Sequence, residues 1–451
     1  MRFQPHPYQT SAIEWVVNKK RCALFLDMGL GKTVSTLSAI RLLMDCAEVE
    51  RTLVVAPKKV AESTWASECA KWDHLNHLKV VKVMGTANQR TEALNQEADI
   101  YVVGRDTLPW MLEHFGNRFP FDCLVLDELT SFKNPKAQRF KVVKKWTRKV
   151  SRVIGLTGTP TPNSLLDLWA QLYCIDQGER LGKFVTKFRE QYFNAIQLGH
   201  FATKYTIRNG SERQILDKIA DICLTMQAKD YLTLPELTEI TERIELPATL
   251  MKRYAQFERD QVATLSDTEI TATNAAAMMN KLSQFASGCI YDDDHMVHHV
   301  HDEKVDRLAE IVEQAQSPVL VFYQFKHEVS HIAEKLKGYK VRTYEGEAEL
   351  NDWNEGKIDV LLAHPASTAY GLNMQHGGHY IVWYGTGFNL EQYQQANARL
   401  HRQGQKHHVT AYRLVCAGTV DELANAAIER KAGVQQGVID SLKELIKKYD
   451  L

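Results

Sequence analysis

The stretch Cys22-Ala23-Leu24-Phe25-Leu26-Asp27-Met28-Gly29-Leu30-Gly31-Lys32-Thr33 decides the fold of the first part of the chain. Its apolar start predicts a buried strand, and the residues from Thr33 onward predict a helix. Between them, Gly29 and Gly31 let the backbone turn its N–H groups inward, and the helix N-terminus adds positive potential. Lys32 can reach the β- and γ-phosphates of a nucleotide, and the Thr33 hydroxyl can ligate Mg²⁺. The stretch therefore predicts a cradle for a nucleoside triphosphate.

One position departs from the general pattern of such cradles. That pattern has a glycine five residues before Gly31, and Leu26 stands there. Taken alone, the turn is therefore also compatible with an ordinary glycine turn, and the rest of the sequence must decide.

Composition and charge set the broad class. The 451 residues are 44% apolar and 24% charged, as in globular proteins of two or three domains. The 55 basic and 55 acidic residues cancel, so only a local patch could favour nucleic acid. No apolar run reaches the length of about eighteen residues that spans a membrane, and residues 1–7 lack the apolar core of a secretory signal. Eight cysteines without C-x-x-C spacing predict reduced, mostly buried thiols in a cytoplasmic protein. The lack of an apolar span predicts that the protein has no membrane partner.

Short apolar runs alternate with helical patterns in two series. Each run is continuous, as expected for a strand buried on both faces of a parallel sheet. The predicted strands are 23–26, 52–56, 80–83, 100–103, 123–126 and 153–156, followed by 319–322, 341–344, 360–363, 380–384 and 410–414. Between the series, residues 160–234 read as longer amphipathic helices, and residues 420–451 read as a closing helix. The predicted fold class is α/β, with parallel-sheet domains at 1–235 and 236–451 and helical insertions.

Two acids follow one predicted strand, in Leu124-Val125-Leu126-Asp127-Glu128. Parallel α/β sheets present ligands at this carboxyl end. Asp127 would hold Mg²⁺ directly or through water, and Glu128 would orient and deprotonate the water that attacks the γ-phosphate. Solvated strand ends also carry such pairs, but this pair follows a candidate phosphate cradle.

Another predicted strand ends in Gly155-Leu156-Thr157-Gly158-Thr159-Pro160. In isolation this is a turn of hydroxyls and glycines. Beside an ATPase centre, it is a candidate for coupling the phosphate state to movement of a neighbouring domain.

The most discriminating segment is Gln395-Ala396-Asn397-Ala398-Arg399-Leu400-His401-Arg402-Gln403-Gly404-Gln405. Arg399 and Arg402 are three residues apart and are predicted to project from one face of a helix. Each guanidinium group donates hydrogen bonds as a planar fork, a geometry that suits the oxygens of a γ-phosphate. A solvated basic helix face is the alternative.

Seven blocks, in order along nearly the whole chain, resemble the motifs of superfamily 2 helicase-like ATPases of the Swi/Snf branch. They are Pro7-Tyr8-Gln9 and residues 27–33, 53–58, 127–129, 155–160, 367–375 and 395–405. Branch-specific features are Phe132-Lys133-Asn134, Asn163-Ser164 with Leu168-Trp169, and Arg402-Gln403-Gly404-Gln405 for the branch's Arg-Ile-Gly-Gln. The chain is similar to compact phage or bacterial members, which would place it in the host cytoplasm if a phage encodes it.

The resemblance implies two RecA-like domains with ATP and Mg²⁺ in the cleft between them. By position, Gln9 would contact adenine, Arg399 and Arg402 would be arginine fingers, and Gly371 would lie near the nucleotide and the duplex. The implied ATP-site residues are Gln9, Gly29, Gly31, Lys32, Thr33, Asp127, Glu128, Gly371, Arg399 and Arg402.

Two departures accompany the resemblance. Thr130 stands where the family has a histidine that links ATP to the rest of the site, which puts the detail of coupling in question but not hydrolysis. Before the arginine block, Tyr384-Gly385 and Phe388-Asn389-Leu390 replace the family's aspartate and Trp-Asn-Pro.

A local positive patch is the candidate nucleic-acid surface. No Asp or Glu lies between Thr130 and Leu166, yet residues 133–152, called the basic segment below, are rich in Lys and Arg around Phe140 and Trp146. Such a segment suits phosphate neutralisation, and a solvated basic helix is the alternative. The predicted nucleic-acid contacts are Lys58, Lys59, Lys133, Asn134, Lys136, Arg139, Lys144 and Lys145.

Two further groups invite a functional interpretation. Asp292-Asp293-Asp294-His295 with His298, His299 and His301 fits no standard zinc spacing, and Cys289 stands alone nearby, so a polar hairpin loop is predicted. Trp65 and Trp72 are one heptad apart and are predicted to be core or helix-packing residues rather than platforms for base stacking.

The predicted function is an ATP-driven translocase on double-stranded DNA, acting as a monomer on protein-bound or branched structures. The duplex preference follows from the resemblance and not from composition. A helicase that separates DNA or RNA strands is the nearest alternative. A non-catalytic nucleic-acid-binding protein is a second alternative, although intact Lys32, Asp127 and Glu128 argue against it. A nuclease is a third, for which no separate acid cluster is evident.

Overall fold

The computed structural model describes residues 1–116, 118–158, 160–161, 164–198, 202–231, 234–266, 272–368 and 372–430. The chain divides into two compact units, Met1–Leu232 (unit 1) and Thr233–Leu451 (unit 2). No helix in the described part of the chain combines the length and the apolarity that crossing a bilayer needs.

Unit 1 is organised around a parallel sheet. Its strands, with those of a separate hairpin, are β1 (Arg21–Leu26), β2 (Thr52–Ala56), β3 (Val80–Val83), β4 (Ile100–Gly104), β5 (Cys123–Asp127), β6 (Arg152–Thr157), β7 (Phe193–Leu198), β8 (Ala202–Ile207) and β9 (Cys223–Met226). The sheet has the order β3-β4-β2-β5-β6-β1-β9. Every residue of β2 is buried, which explains why its sequence is apolar without alternation.

The sheet register brings three strand ends together. Asp127 of β5 pairs with Leu156 of β6, and Phe25 of β1 pairs with Thr157 of β6. Because β5, β6 and β1 are parallel neighbours, their carboxyl ends lie at one edge of the sheet. The residues that follow these strands are therefore placed side by side.

The helices of unit 1 connect these strands. They are α1 (Pro7–Asn18), α2 (Lys32–Asp45), α3 (Lys58–Glu62), α4 (Thr64–Lys71), α5 (Ala87–Asn95), α6 (Leu108–Phe115), α7 (Gln138–Trp146), α8 (Asp167–Asp176), α9 (Val185–Tyr192), α10 (Ser211–Ile219) and α11 (Ala228–Tyr231). The apolar residues of α8 are buried throughout, so it packs as a core helix.

The prediction that residues 160–234 are helical was wrong in part. β7 and β8 form an antiparallel hairpin there, and β9 joins the main sheet as a parallel neighbour of β1. β9 has four residues, too few for a periodic pattern to distinguish a strand from a helical turn.

Unit 2 contains a second parallel sheet. Its strands, with those of another hairpin, are β10 (Leu237–Ile244), β11 (Cys289–Tyr291), β12 (Val297–His299), β13 (Val319–Phe322), β14 (Val341–Thr343), β15 (Val360–Ala363), β16 (Tyr380–Trp383) and β17 (Val409–Cys416). The sheet has the order β10-β17-β16-β13-β15-β14. Val319 and Val321 of β13 contribute to one hydrophobic core and Leu320 and Phe322 to another. The sheet is thus covered on both faces.

The helices of unit 2 are α12 (Ala248–Ser266), α13 (Ala272–Ala286), α14 (Glu303–Ala315), α15 (Lys326–Lys335), α16 (Glu347–Asn354), α17 (Pro365–Thr368), α18 (Leu390–Asn397) and α19 (Val420–Glu429). The predicted closing helix over 420–451 coincides with α19 at its start, and residues 431–451 lie outside the described residues. The predicted fold class, two parallel α/β sheets in tandem, is confirmed. The predicted polar hairpin near residue 295 is formed by β11 and β12.

Candidate active site

The glycine turn between β1 and α2 has the backbone that the sequence predicts. Gly29 and Gly31 have φ of 88° and 73°, in the left-handed region that favours glycine. The Lys32 ammonium donates to the carbonyls of Leu26 at 2.6 Å and Asp27 at 3.1 Å. Leu26 is fully buried as the last residue of β1, so a core side chain fits where the general pattern has glycine.

Gln9, near the start of α1, lies against this turn. Its side-chain oxygen accepts a hydrogen bond from the His6 backbone N–H at 2.9 Å. A Cβ atom added to Gly31 would lie 2.4 Å from the Gln9 amide nitrogen, so a larger residue there would displace the Gln9 side chain. The structure thus brings the predicted adenine contact next to the predicted phosphate cradle.

Asp127, at the end of β5, has a partner that sequence reasoning missed. The indole N–H of Trp65 on α4 donates to Asp127 Oδ2 at 2.9 Å. Burial raises the pKa of Asp127 to about 6, while the Trp65 hydrogen bond and the Lys32 charge oppose that rise. Trp65 is fully buried, which confirms the prediction that it is a core residue. Its indole N–H is nevertheless used to hold Asp127.

Glu128 is held by two threonine hydroxyls. Its Oε1 accepts from Thr130 Oγ1 at 2.7 Å and from Thr157 Oγ1 at 3.3 Å. Its backbone has φ of 57°, a strained conformation for a residue other than glycine and one that concentrates at functional sites. Thr130, the departure from the family pattern, and Thr157, from the Gly155-to-Pro160 block, therefore converge on one carboxylate.

Gly158 completes this edge of the sheet. A Cβ atom added to Gly158 would lie 3.4 Å from the Leu26 carbonyl and 3.5 Å from Lys32 Nζ. The turn after β6 is therefore in contact with the phosphate cradle. Thr159 of the same block lies outside the described residues.

The donor set at this edge fits Mg²⁺. Mg²⁺ prefers oxygen ligands, usually one or two protein oxygens with water and substrate phosphates. Thr33 is the second residue of α2, which follows β1, and Asp127 ends β5; β1 and β5 end at the same edge of the sheet. The Lys32 charge acts on Asp127, which shows that the cradle and the acid are close in space.

In unit 2, the prediction that Arg399 and Arg402 project from a helix was wrong. α18 ends at Asn397, and both arginines lie in the turns that lead to β17, where Gly404 has φ of 96°. Both guanidinium groups nevertheless reach one atom, the Leu372 carbonyl oxygen, at 3.5 Å and 2.8 Å. The chain must reverse before β17, so turns replace the helix while the two side chains still converge.

Gln405 joins the arginine block to the block at 367–375. Its buried amide nitrogen donates to the carbonyls of Gln375 at 3.1 Å and Gly378 at 3.0 Å. The arginine turns are thus fixed to the segment that begins at Leu372. Gly371, predicted to lie near the nucleotide, is outside the described residues.

The cations of the basic segment are exposed or half-buried, except Arg152. Lys133, Arg139 and Lys144 are half-buried, and the exposed cations are Lys136, Lys141, Lys145, Arg148 and Lys149. Arg152 is buried instead and donates to the carbonyls of Val16 and Val17 at 3.2 Å, so it does not belong to the positive surface. Phe140 and Trp146 lie in the core of unit 1, where they pack and cannot stack on bases.

The remaining predicted nucleic-acid contacts lie at the surface of unit 1. Lys58 and Lys59 open α3 directly after β2, with Lys58 Nζ 3.9 Å from Glu62 Oε1. Asn134 is exposed, and its side-chain oxygen accepts from the Lys136 backbone N–H at 2.9 Å. This bond fixes the turn that precedes α7.

Comparisons with known proteins bear on this site. The SNF2-related domain matches residues 8–293, and the helicase conserved C-terminal domain matches residues 303–404. A protein of Acyrthosiphon pisum secondary endosymbiont phage 1 is 36% identical, over 98% of this chain and 99% of its own length. The ISWI chromatin-remodeling complex ATPase ISW1 of Saccharomyces cerevisiae is 22% identical, over 99% of this chain but 42% of its own length.

Among solved structures, the Sulfolobus solfataricus SWI2/SNF2 ATPase core in complex with dsDNA matches 99% of this chain with 20% identity and a TM-score of 0.47. The SNF2-related domain alone covers more than half of the residues, and the phage relative matches along almost its whole length. The chain belongs to the SNF2-related family of helicase-like ATPases.

Proposed function

We propose that this ATPase is a translocase on double-stranded DNA, in which residues of both units act on one ATP molecule. The observation that carries the proposal is the edge of the unit 1 sheet, where Glu128 accepts from Thr130 and Thr157 beside Asp127. A carboxylate with one oxygen, Oε1, held by two hydroxyls is suited to orienting an attacking water with its other oxygen and taking the proton of that water.

The residues of unit 1 bind and activate the nucleotide. Lys32 exchanges its carbonyl partners for phosphate oxygens, and the N–H groups of the glycine turn surround the phosphates. Thr33 and Asp127 hold Mg²⁺, which neutralises charge on the phosphates when bound. Gln9, fixed by its bond to His6, reads the adenine.

The residues of unit 2 supply positive charge to the γ-phosphate. Arg399 and Arg402 converge on the Leu372 carbonyl, so a modest side-chain rotation can direct both forks to one phosphate. ATP would then bring the two units together, and hydrolysis would release them. Each cycle would advance the protein along DNA.

The basic segment with Lys58 and Lys59 contacts the DNA backbone. Lys145, Arg148 and Lys149 line one surface cavity between α6 and α7, where phosphate oxygens fit their charge. The contacts position the protein without reading bases, since phosphate carries no sequence information. Support for a duplex substrate comes from family members such as ISW1, a chromatin-remodeling ATPase.

An ATPase assay with duplex DNA, single-stranded DNA and RNA, together with a strand-displacement assay, tests the proposal. We expect stimulation by duplex DNA without separation of its strands. Strand displacement would favour the helicase alternative, and stimulation by RNA alone would contradict the proposal. Lys32→Ala is the matched control, because it should abolish hydrolysis with every nucleic acid.

A further inference from the structure

Unit 2 contains a cluster of donor atoms that the ATP and DNA sites do not use. His299 ends β12, Asp302 precedes α14, and His331 lies on α15. His299 Nε2 lies 2.8 Å from Asp302 Oδ1, and His331 Nε2 lies 2.6 Å from the same oxygen. The three donor atoms all lie within 4.8 Å of one another. Three separate elements therefore present two imidazoles and one carboxylate to one point.

Cys289 fixes the orientation of the His331 ring. Its sulfur lies 3.7 Å from His331 Nδ1, on the opposite side of the ring from the cluster. Zn²⁺ would bind the Nε2 lone pair, so the ring would then carry its proton on Nδ1, where the Cys289 sulfur can accept a hydrogen bond from the N–H. A histidine that carries its proton on Nδ1 presents the Nε2 lone pair, which is the tautomer that a metal ion needs.

The hairpin at this cluster has little apolar anchoring of its own. All three residues of β12 are exposed, and β11 pairs with it over three residues only. The backbone N–H groups of Val300 and His301 donate to the Gly288 carbonyl at 2.7 Å and 3.2 Å. A shared metal ion on His299 and His331 would join the base of this hairpin, where His299 pairs with Cys289, to α15.

We propose that His299, Asp302 and His331 bind one Zn²⁺ ion, with water as the fourth ligand, which ties the hairpin to α14 and α15. Imidazole and carboxylate donors suit a first-row transition ion, whereas Mg²⁺ and Ca²⁺ prefer oxygen alone. Bonds of about 2.0–2.2 Å in a tetrahedron separate donor atoms by about 3.3 Å, which a slight outward movement from the hydrogen-bonded positions provides. His299 and Asp302 are half-exposed, so an ion can enter.

The site shares only His299 with the histidine and aspartate run described in the sequence. His298 pairs with Asp292 at 2.7 Å within the hairpin, outside the cluster. His331 comes from a helix 29 residues after Asp302, which is why no zinc spacing is evident in the sequence.

Titration of the full chain with Zn²⁺ by calorimetry, and with Co²⁺ by visible absorption, tests the proposal. We expect one ion per chain, a tetrahedral Co²⁺ spectrum, and a rise in Tm of roughly 5–10 °C at Zn²⁺ about a hundredfold above its Kd. His299→Gln, His331→Gln and Asp302→Asn should each weaken Zn²⁺ binding at least tenfold. His298→Gln is the matched control and should bind as the wild type does.

Equal Zn²⁺ binding by all four variants would mean adventitious surface binding and would overturn the proposal, as would the lack of a tetrahedral Co²⁺ spectrum. Unchanged ATPase activity in buffer that contains Mg²⁺ but no Zn²⁺ shows that each variant is folded. This readout also keeps the zinc proposal separate from the translocase proposal, because either can fail without the other.

Discussion

At the scale of single residues, the acid pair depends on side chains that lie outside the acid motif. Trp65 donates to Asp127, and Thr130 and Thr157 donate to Glu128. The Trp65 bond favours the charged form of Asp127, whereas the two hydroxyls fix the position of Glu128. The two acids therefore have separate environments, which suits separate roles in metal binding and in water activation.

The pH dependence of Mg²⁺ binding should follow Asp127. Burial raises its pKa to about 6, so a proton competes with Mg²⁺ below that pH. The half-saturating Mg²⁺ concentration should then rise about tenfold for each pH unit of further acidification. Trp65→Phe removes the bond that lowers the Asp127 pKa, so the same rise should begin at higher pH.

ATPase assays over a Mg²⁺ and pH grid would measure this shift. The titration of ATP itself is common to both proteins and cancels in the comparison. Coincident Mg²⁺ profiles for the wild type and Trp65→Phe would show that the indole bond does not tune Asp127.

The Thr130 hydroxyl should contribute to the chemical step. Hydrogen bonds to charged groups contribute about 1.5–3 kcal/mol, so Thr130→Val should lower kcat roughly 10- to 100-fold at little changed KM. Thr157→Val should have a smaller effect, because its bond is longer, at 3.3 Å against 2.7 Å. Thr130→Ser keeps the hydroxyl and serves as the control. A wild-type kcat in Thr130→Val would argue against Glu128 as the base.

At the scale of elements, α1 is held in place by a buried arginine from β6. Arg152 donates to the Val16, Val17 and Lys19 carbonyls at the C-terminus of α1 and pairs with Glu48. A cation at this end also complements the helix dipole. Since α1 carries Gln9 near its other end, Arg152 helps to position the proposed adenine contact.

Arg152→Met should therefore destabilise unit 1 rather than weaken DNA binding. It leaves buried carbonyls unpaired, at a cost of about 2–4 kcal/mol in the free energy of unfolding. Urea denaturation would measure this loss. Lys141→Met, in the exposed part of the same segment, should instead keep stability and lower duplex affinity at low salt. If Arg152→Met instead lowered duplex affinity and kept stability, Arg152 would belong to the DNA-binding surface.

Edge strands explain most of what sequence reasoning missed at this scale. β10 is an edge strand with half-exposed residues, and its apolar residues Leu237, Ile240 and Ile244 have the spacing of a helix rather than the continuous runs of central strands. β9 is an edge strand of the sheet in unit 1 and has only four residues. Central strands were predicted to within a few residues because burial on both faces leaves them continuously apolar.

At the scale of the whole molecule, the proposed ATP chemistry requires both units. Arg402→Ala in the full chain should lower duplex-stimulated kcat by about 10³–10⁵, the usual contribution of an arginine finger. ATP binding should remain, because the cradle around Lys32 belongs to unit 1. Turnover assays paired with binding of a fluorescent ATP analogue would separate the two effects. Near-normal turnover would show that unit 2 does not contribute this charge.

The sequence by itself determined the two sheets, the glycine turn and the order of the motif blocks. These features depend on burial and on backbone angles, which apolar runs and glycines encode locally. The tertiary structure alone decided which side chains meet: Trp65 with Asp127, Thr157 with Glu128, Arg152 with α1, and His331 with Asp302. Such partners are separated along the chain and meet only through strand register and helix packing, which no local pattern records.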